Sequence, residues 1–108
     1  LLISNSGKTR EVLEFDRLVK KLYNNIPVLV LTGNNNSPLK ELASVCLYTG
    51  NPEEICPLGL TPTTSTTVMT VVGDILVVSM MEKINFTKED YAKRHHSGYL
   101  GQKAKSNE

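Results

Sequence analysis

The run PVLVLTG at residues 27–33 limits the fold more than any other stretch of this chain. Four aliphatic residues stand side by side, and a glycine closes them. A strand with one face in water alternates apolar and polar residues. A continuous run belongs to a strand covered on both faces, and such strands sit in parallel sheets layered with helices. The neighbouring segments agree. Residues 1–4 (LLIS) read as the end of a first buried strand, and VCLY at 45–48 as a third. Between the first two strands, Val12, Phe15, Leu18, Val19 and Leu22 recur at helical spacing from Arg10, and Asn24-Asn25 ends the helix. Ser37 followed by Pro38 is a cap and a first-turn proline, starting a short helix over 38–43. Strands alternating with helices give an α/β domain, three-layer α/β/α, with a parallel sheet.

The rest of the chain is helical. A loop rich in Gly, Pro and Thr runs from Thr49 to the Thr-Ser stretch at 63–67, which leads into the longest helix, up to about Lys83. That helix is apolar nearly all the way round, so it is expected to be well buried. Thr87 with Asp90 three residues on forms a capping box, and a short helix should run to His95. Three strands are few for a parallel sheet, and they leave an edge and an apolar face thinly covered. The expectation is the C-terminal part of a larger domain, its N-terminal strands missing.

Composition excludes several classes. Net charge is +1 on 108 residues with both signs scattered, which argues against nucleic acid or an anionic membrane as main partner. The basic cluster at 103–105 reads as a frayed, solvated end. Cys46 and Cys56 are too few for a disulfide scaffold and lack metal-ligand spacing, so two reduced thiols in the cytoplasm are expected. No metal site and no cofactor is indicated. The longest apolar stretch, 68–81, is interrupted by Thr70, Gly73, Asp74 and Ser79 and reads as too short and too polar to span a bilayer.

Chemistry concentrates in the loops. Ligands of parallel α/β sheets bind at the carboxyl ends of the strands. There the chain carries Ser4, Asn5, Ser6, Gly7 and Thr9, between a strand and a helix N-terminus. Backbone N–H groups and three hydroxyls would suit a phosphate monoester. An ordinary polar turn with a serine cap fits the same residues. Glu11 alone reads as dipole complementarity, Glu53-Glu54 as a solvated loop pair, and His95-His96 as a surface pair. Cys56 reads as a small buried thiol, since no nearby basic residue would lower its pKa.

Taken in order, ISNSGKTRE, VLTGNNNSPL, EEICPLGLTPTTSTT, GDILVV and FTKEDYAKRHHSGYLG resemble the sugar isomerase (SIS) domain of the arabinose 5-phosphate isomerases. The resemblance runs over residues 1–103, leaving 104–108 as a polar tail. It implies a flavodoxin-like fold and an aldose–ketose isomerase interconverting D-ribulose 5-phosphate and D-arabinose 5-phosphate, in a lipopolysaccharide (Kdo) or capsule precursor pathway. It also implies a homo-oligomer, dimer or tetramer. By the same resemblance, Ser4, Asn5, Ser6, Gly7, Thr9, Thr63, Thr64 and Ser65 bind the small-molecule sugar phosphate. Glu11, Glu54 and His95 match the family's proposed catalytic residues, with Glu54 or His95 the base.

Departures accompany the match. His96 and Ser97 stand where the family's closing motif has proline and glycine, and Lys8 replaces an acidic residue. The family's earlier Gly-Lys-Ser-Gly segment, whose lysine is thought catalytic, has no counterpart here, nor do its CBS domains. Isomerase ancestry is therefore expected, with the fragment alone inactive. The alternative is a non-catalytic sugar-phosphate-binding regulatory domain.

Overall fold

A computed structural model describes residues 1–106. The elements follow as β1 (Leu2–Ile3), α1 (Arg10–Leu22), β2 (Leu29–Thr32), α2 (Pro38–Glu41), β3 (Val45–Tyr48), α3 (Thr64–Lys83), α4 (Lys88–Arg94) and α5 (Gly98–Lys105). The three strands form one parallel sheet in the order β1-β2-β3. Two compact units result, Leu1–Val72 and the stretch from Gly73 onward.

In the first unit the apolar run is buried as its pattern requires. Val30, Leu31 and Thr32 are fully buried at the centre of the sheet. Register places Leu2, Val30 and Cys46 side by side, with Ile3, Leu31 and Leu47 on the next row. Successive right-handed crossovers in one direction along a sheet put their helices on the same face. Accordingly Val12 and Leu13 of α1 and Leu39 of α2 share one cluster with Val28, Val30, Leu2 and Cys46. Ser37 caps α2, its hydroxyl accepting from the Lys40 N–H at 3.3 Å, with proline in the first turn.

The orientation of α1 differs from expectation. Its helix stands, but Phe15, Leu18 and Leu22 are exposed. The inward positions include Asp16, which is 2% exposed and faces the Lys20 ammonium at 3.0 Å. Lys20 also donates to the Leu42 carbonyl, tying α1 to the end of α2. A charged residue is thus buried at a position the periodicity alone assigns to solvent, with an i, i+4 partner offsetting its charge.

Helix α3 corrects two expectations. Only Ser65 is buried in it, while Val71, Ile75, Val77, Val78 and Met80 are each more than half exposed. An all-round apolar helix needs apolar surface on every side, and the described residues supply little. Its 20 residues, with hydropathy 1.5, are also long and apolar enough by length and composition to cross a membrane. The stretch 68–81 understated this by leaving out the first helical turn.

In the second unit, α4 opens with the expected capping box. The Thr87 hydroxyl accepts from the Asp90 N–H at 3.2 Å, and the Asp90 carboxylate accepts from the Thr87 N–H at 3.3 Å. Helix α5 is a correction: residues 103–105, expected to fray, belong to it, and Lys105 reaches back to the His96 carbonyl. Two glycines disguise it in the sequence. Gly101 is buried, and a Cβ there would lie 2.5 Å from the His95 carbonyl oxygen, so α5 approaches the end of α4 only with glycine at this point. Of the expected polar tail, the last two residues lie outside the described ones.

Candidate sugar-phosphate site

Residues 4–9 leave β1 at its carboxyl end and turn into α1. Gly7, at φ 62°, makes the turn, and a Cβ there would overlap the Ser37 side chain. Its N–H donates to the Ser4 hydroxyl at 3.1 Å, and its carbonyl accepts from the Leu39 N–H at 3.2 Å. Ser4 is 7% exposed and bonds to the Thr9 hydroxyl at 2.8 Å. So the first hydroxyl of the loop works inward and fixes its shape. Ser6 and Thr9 lie at the surface, Ser6 accepting from the Lys8 N–H at 3.2 Å. Thr9 is the N-cap residue of α1, yet its side chain makes no capping bond. The positive end of a thirteen-residue helix therefore opens beside two exposed hydroxyls, the arrangement that favours an anion.

Next to the loop is a cleft of about 470 Å³ at the carboxyl ends of the strands, walled by Asn5, Ser6, Asn34, Tyr48 and Asn51 among others. Asn34 is its organiser. Its side-chain amide donates to the Ser6 carbonyl at 3.0 Å, and its carbonyl oxygen accepts from the Asn36 N–H at 3.0 Å. Its own N–H donates to the Thr32 hydroxyl, which in turn donates to the Asn5 carbonyl. The Asn5 side-chain oxygen is buried without a partner. Asn34, Tyr48 and Asn51 were not among the residues expected from sequence. The signal was available, since each lies just past the carboxyl end of a strand or at its last residue.

The long loop returns to α3 through Glu54. One carboxylate oxygen, Oε2, accepts from the Thr63 N–H and the Thr63 hydroxyl, each at 2.7 Å, and from the Ser65 N–H at 3.3 Å. The Thr63 hydroxyl also accepts from the Ile55 N–H at 3.1 Å. The Glu54 carboxyl is held down at about 2, by the Ser65 and Thr63 side chains first and then by the Thr63 and Ser65 N–H groups. Thr63 and Ser65 are thus engaged with Glu54, and Ser65 is 1% exposed. The Thr64 hydroxyl is buried without a partner.

Cys56 differs from its expected state. It is half-buried, and its thiol is lowered to about 6. The donors are the Thr61 side chain first, then the N–H groups of Thr61, Leu58 and Leu60. No cation is involved: the tight turn, closed by the Gly59 N–H on the Cys56 carbonyl at 2.8 Å, converges neutral donors on the sulfur. Glu11 is exposed in the first turn of α1. His95, in the second unit, ends α4 and stacks on Tyr91, ring centroids 4.5 Å apart at 11°.

The fold and the cleft define a parallel α/β domain with an anion-favouring helix end beside a polar cleft. Comparison with known proteins gives the family. The SIS domain profile matches residues 1–79, and the chain belongs to the SIS domain family. It is 44% identical over 103 residues to the arabinose 5-phosphate isomerase KdsD of Pseudomonas aeruginosa, covering 95% of this chain and 31% of that protein. Its Escherichia coli K12 counterpart is 40% identical over the same share. Among solved structures, a Bacteroides fragilis protein assigned as a phosphosugar isomerase involved in capsule formation superposes with a TM-score of 0.85 at 59% identity, covering 90% of this chain and 50% of that one. An Escherichia coli CFT073 protein in complex with arabinose 5-phosphate superposes with a TM-score of 0.76 at 32% identity, covering 86% and 48%. The chain spans about a third of the length of the curated relatives.

Proposed function

We propose that this chain binds a pentose 5-phosphate through residues 4–9, and that the complete SIS domain interconverts D-ribulose 5-phosphate and D-arabinose 5-phosphate. The observation that carries the reading is the uncapped N-terminus of α1, set beside the exposed Ser6 and Thr9 and opening on the asparagine-walled cleft. The phosphate would sit on the helix end, and the sugar hydroxyls would meet the amides of Asn5, Asn34 and Asn51. Support for the substrate comes from the two isomerases and from the solved relative holding arabinose 5-phosphate.

The reaction moves a proton between C1 and C2 through an enediol. A base takes the carbon-bound proton, an acid serves the oxygens, and a fixed phosphate holds the reacting carbons in register. We assign the base role to Glu54 or His95, with Glu11 orienting hydroxyls or sharing in the transfer. The proposal places the protein in the cytoplasm as a homo-oligomer, the exposed apolar length of α3 being the surface a second copy would cover. The product would feed a lipopolysaccharide or capsule precursor.

Thermal unfolding tests the binding. Arabinose 5-phosphate should raise the midpoint of the chain more than inorganic phosphate does, and free arabinose should leave it in place. A ligand at a hundred times its Kd adds about 2.7 kcal/mol to the native state. An equal response to free arabinose, or none to the sugar phosphate, contradicts the proposal.

A further inference from the structure

Resting on the proposed sugar-phosphate site, we propose that Glu54 has a positioning role: through one carboxylate oxygen it fastens the loop that follows the cleft wall to the start of α3. The geometry carries this. Glu54 Oε2 already accepts three hydrogen bonds, from the Thr63 N–H, the Thr63 hydroxyl and the Ser65 N–H, the longest at 3.3 Å. All three donors belong to the first residues of α3 or the residue before it, where N–H groups have no partners within the helix. The carboxylate therefore caps α3 from a distance in sequence, and the helix dipole favours its charge.

This contact closes the segment from Glu54 to Thr63. Thr63 passes the bond on, accepting from the Ile55 N–H, so 54–55 and 63–65 are pinned together. Asn51, three residues before Glu54, walls the cleft with a left-handed backbone at φ 49°. A conformation that costs energy for a non-glycine residue persists only where its surroundings hold it. Releasing Glu54 would free Asn51, and the cleft would lose one wall. The Thr63 hydroxyl and the Ser65 backbone would meanwhile gain solvent in place of the carboxylate.

The acid side has a definite sign. A carboxylate whose pKa in the folded chain lies below 4.5 stabilises the fold above that value, and the contribution is lost as pH falls toward about 2. Such a group stays ionised throughout the physiological range.

Three variants and three readouts test the proposal. In the wild-type chain the Glu54 carboxyl resonance should titrate near 2, and the Thr63 and Ser65 amides should exchange slowly. Glu54→Ala should unprotect both amides and weaken arabinose 5-phosphate binding at least tenfold. Glu54→Gln keeps an acceptor oxygen, and should restore protection and bring binding back to within about threefold of wild type. Glu54→Asp, too short to reach both donors, should resemble Glu54→Ala. A carboxyl titrating at its ordinary value over unprotected amides overturns the proposal. So does a Glu54→Ala chain that binds the sugar phosphate as tightly as wild type, or a Glu54→Gln chain no better than Glu54→Ala. If the wild-type chain binds no sugar phosphate, the site reading fails, and the titration and exchange results still decide whether Glu54 holds the loop.

Discussion

The two units of this chain are stabilised by different means. Among the described residues, every buried side chain lies in Leu1–Val72: the aliphatics of β2, Leu39 of α2, and the polar Ser4, Asp16, Thr32, Ser37 and Ser65. From Gly73 onward, among the described residues, no apolar side chain is buried, and Gly101 alone counts as interior. Local contacts hold that second unit: the capping box of Thr87 and Asp90, the Lys93–Asp90 ion pair at 3.0 Å, Arg94 over the Phe86 ring at 5.5 Å, and Tyr91 on His95. Burial fixes one unit and hydrogen bonds within a few residues fix the other. The polar cleft and the Glu54 contact fall in the first unit, where long-range packing can hold loops in shape.

The largest expected effect tests that contrast directly. Leu39→Ala removes a fully buried side chain from the cluster under β2 and should cost about 2–5 kcal/mol. Val77→Ala, on the exposed length of α3, should stay within about 0.5 kcal/mol where the chain is dilute enough to be monomeric. Both are read from denaturant unfolding of the chain. Equal losses in the dilute chain would mean that α3 is covered without a second copy.

A smaller effect belongs to the second unit. Thr87→Ala removes the capping box of α4 and should cost about 1 kcal/mol locally. Amide exchange at 88–94 should rise, while the amides of β2 stay protected. Accelerated exchange in β2 as well would mean that the two units unfold as one.

The last effect is read chemically. With Cys46 replaced by serine, alkylation of Cys56 should rise with a midpoint near pH 6, well below the ordinary 9.0. The thiolate is favoured in the folded chain, so its stabilising contribution fades as pH falls from 9 toward 6. A midpoint near 9 would show that the 56–61 turn does not gather its N–H groups on the sulfur.

Much of the first unit was legible in the sequence because its signals are local or strictly periodic. VCLY at 45–48 is β3 residue for residue, the Ser37-Pro38 start of α2 makes its capping bond, and the PVLVLTG run is buried at Val28 and from Val30 to Gly33, with Leu29 half-buried. Helix α5 escaped because glycine reads as a breaker, whereas Gly101 serves close approach to His95. The exposure of α3 could not be read, since periodicity states what a helix needs and not whether its neighbours supply it. At the site, the phosphate loop was legible from its hydroxyls and glycine. The roles within it were not: Ser4 turns inward, Glu54 caps a helix eleven residues beyond it through the Ser65 N–H, and the asparagines past β2 wall the cleft. Those are facts of three-dimensional reach, which spacing along the chain does not encode.

The central claim is that residues 4–9 receive the phosphate of a pentose phosphate at the end of α1. Amide chemical-shift mapping of the chain with arabinose 5-phosphate tests it most directly, with free arabinose as the control. The account expects the largest shifts at the amides of 5–11, smaller ones at 33–36, and little response to the unphosphorylated sugar. Shifts confined to residues of α4 and α5, or the same pattern from arabinose, would contradict it.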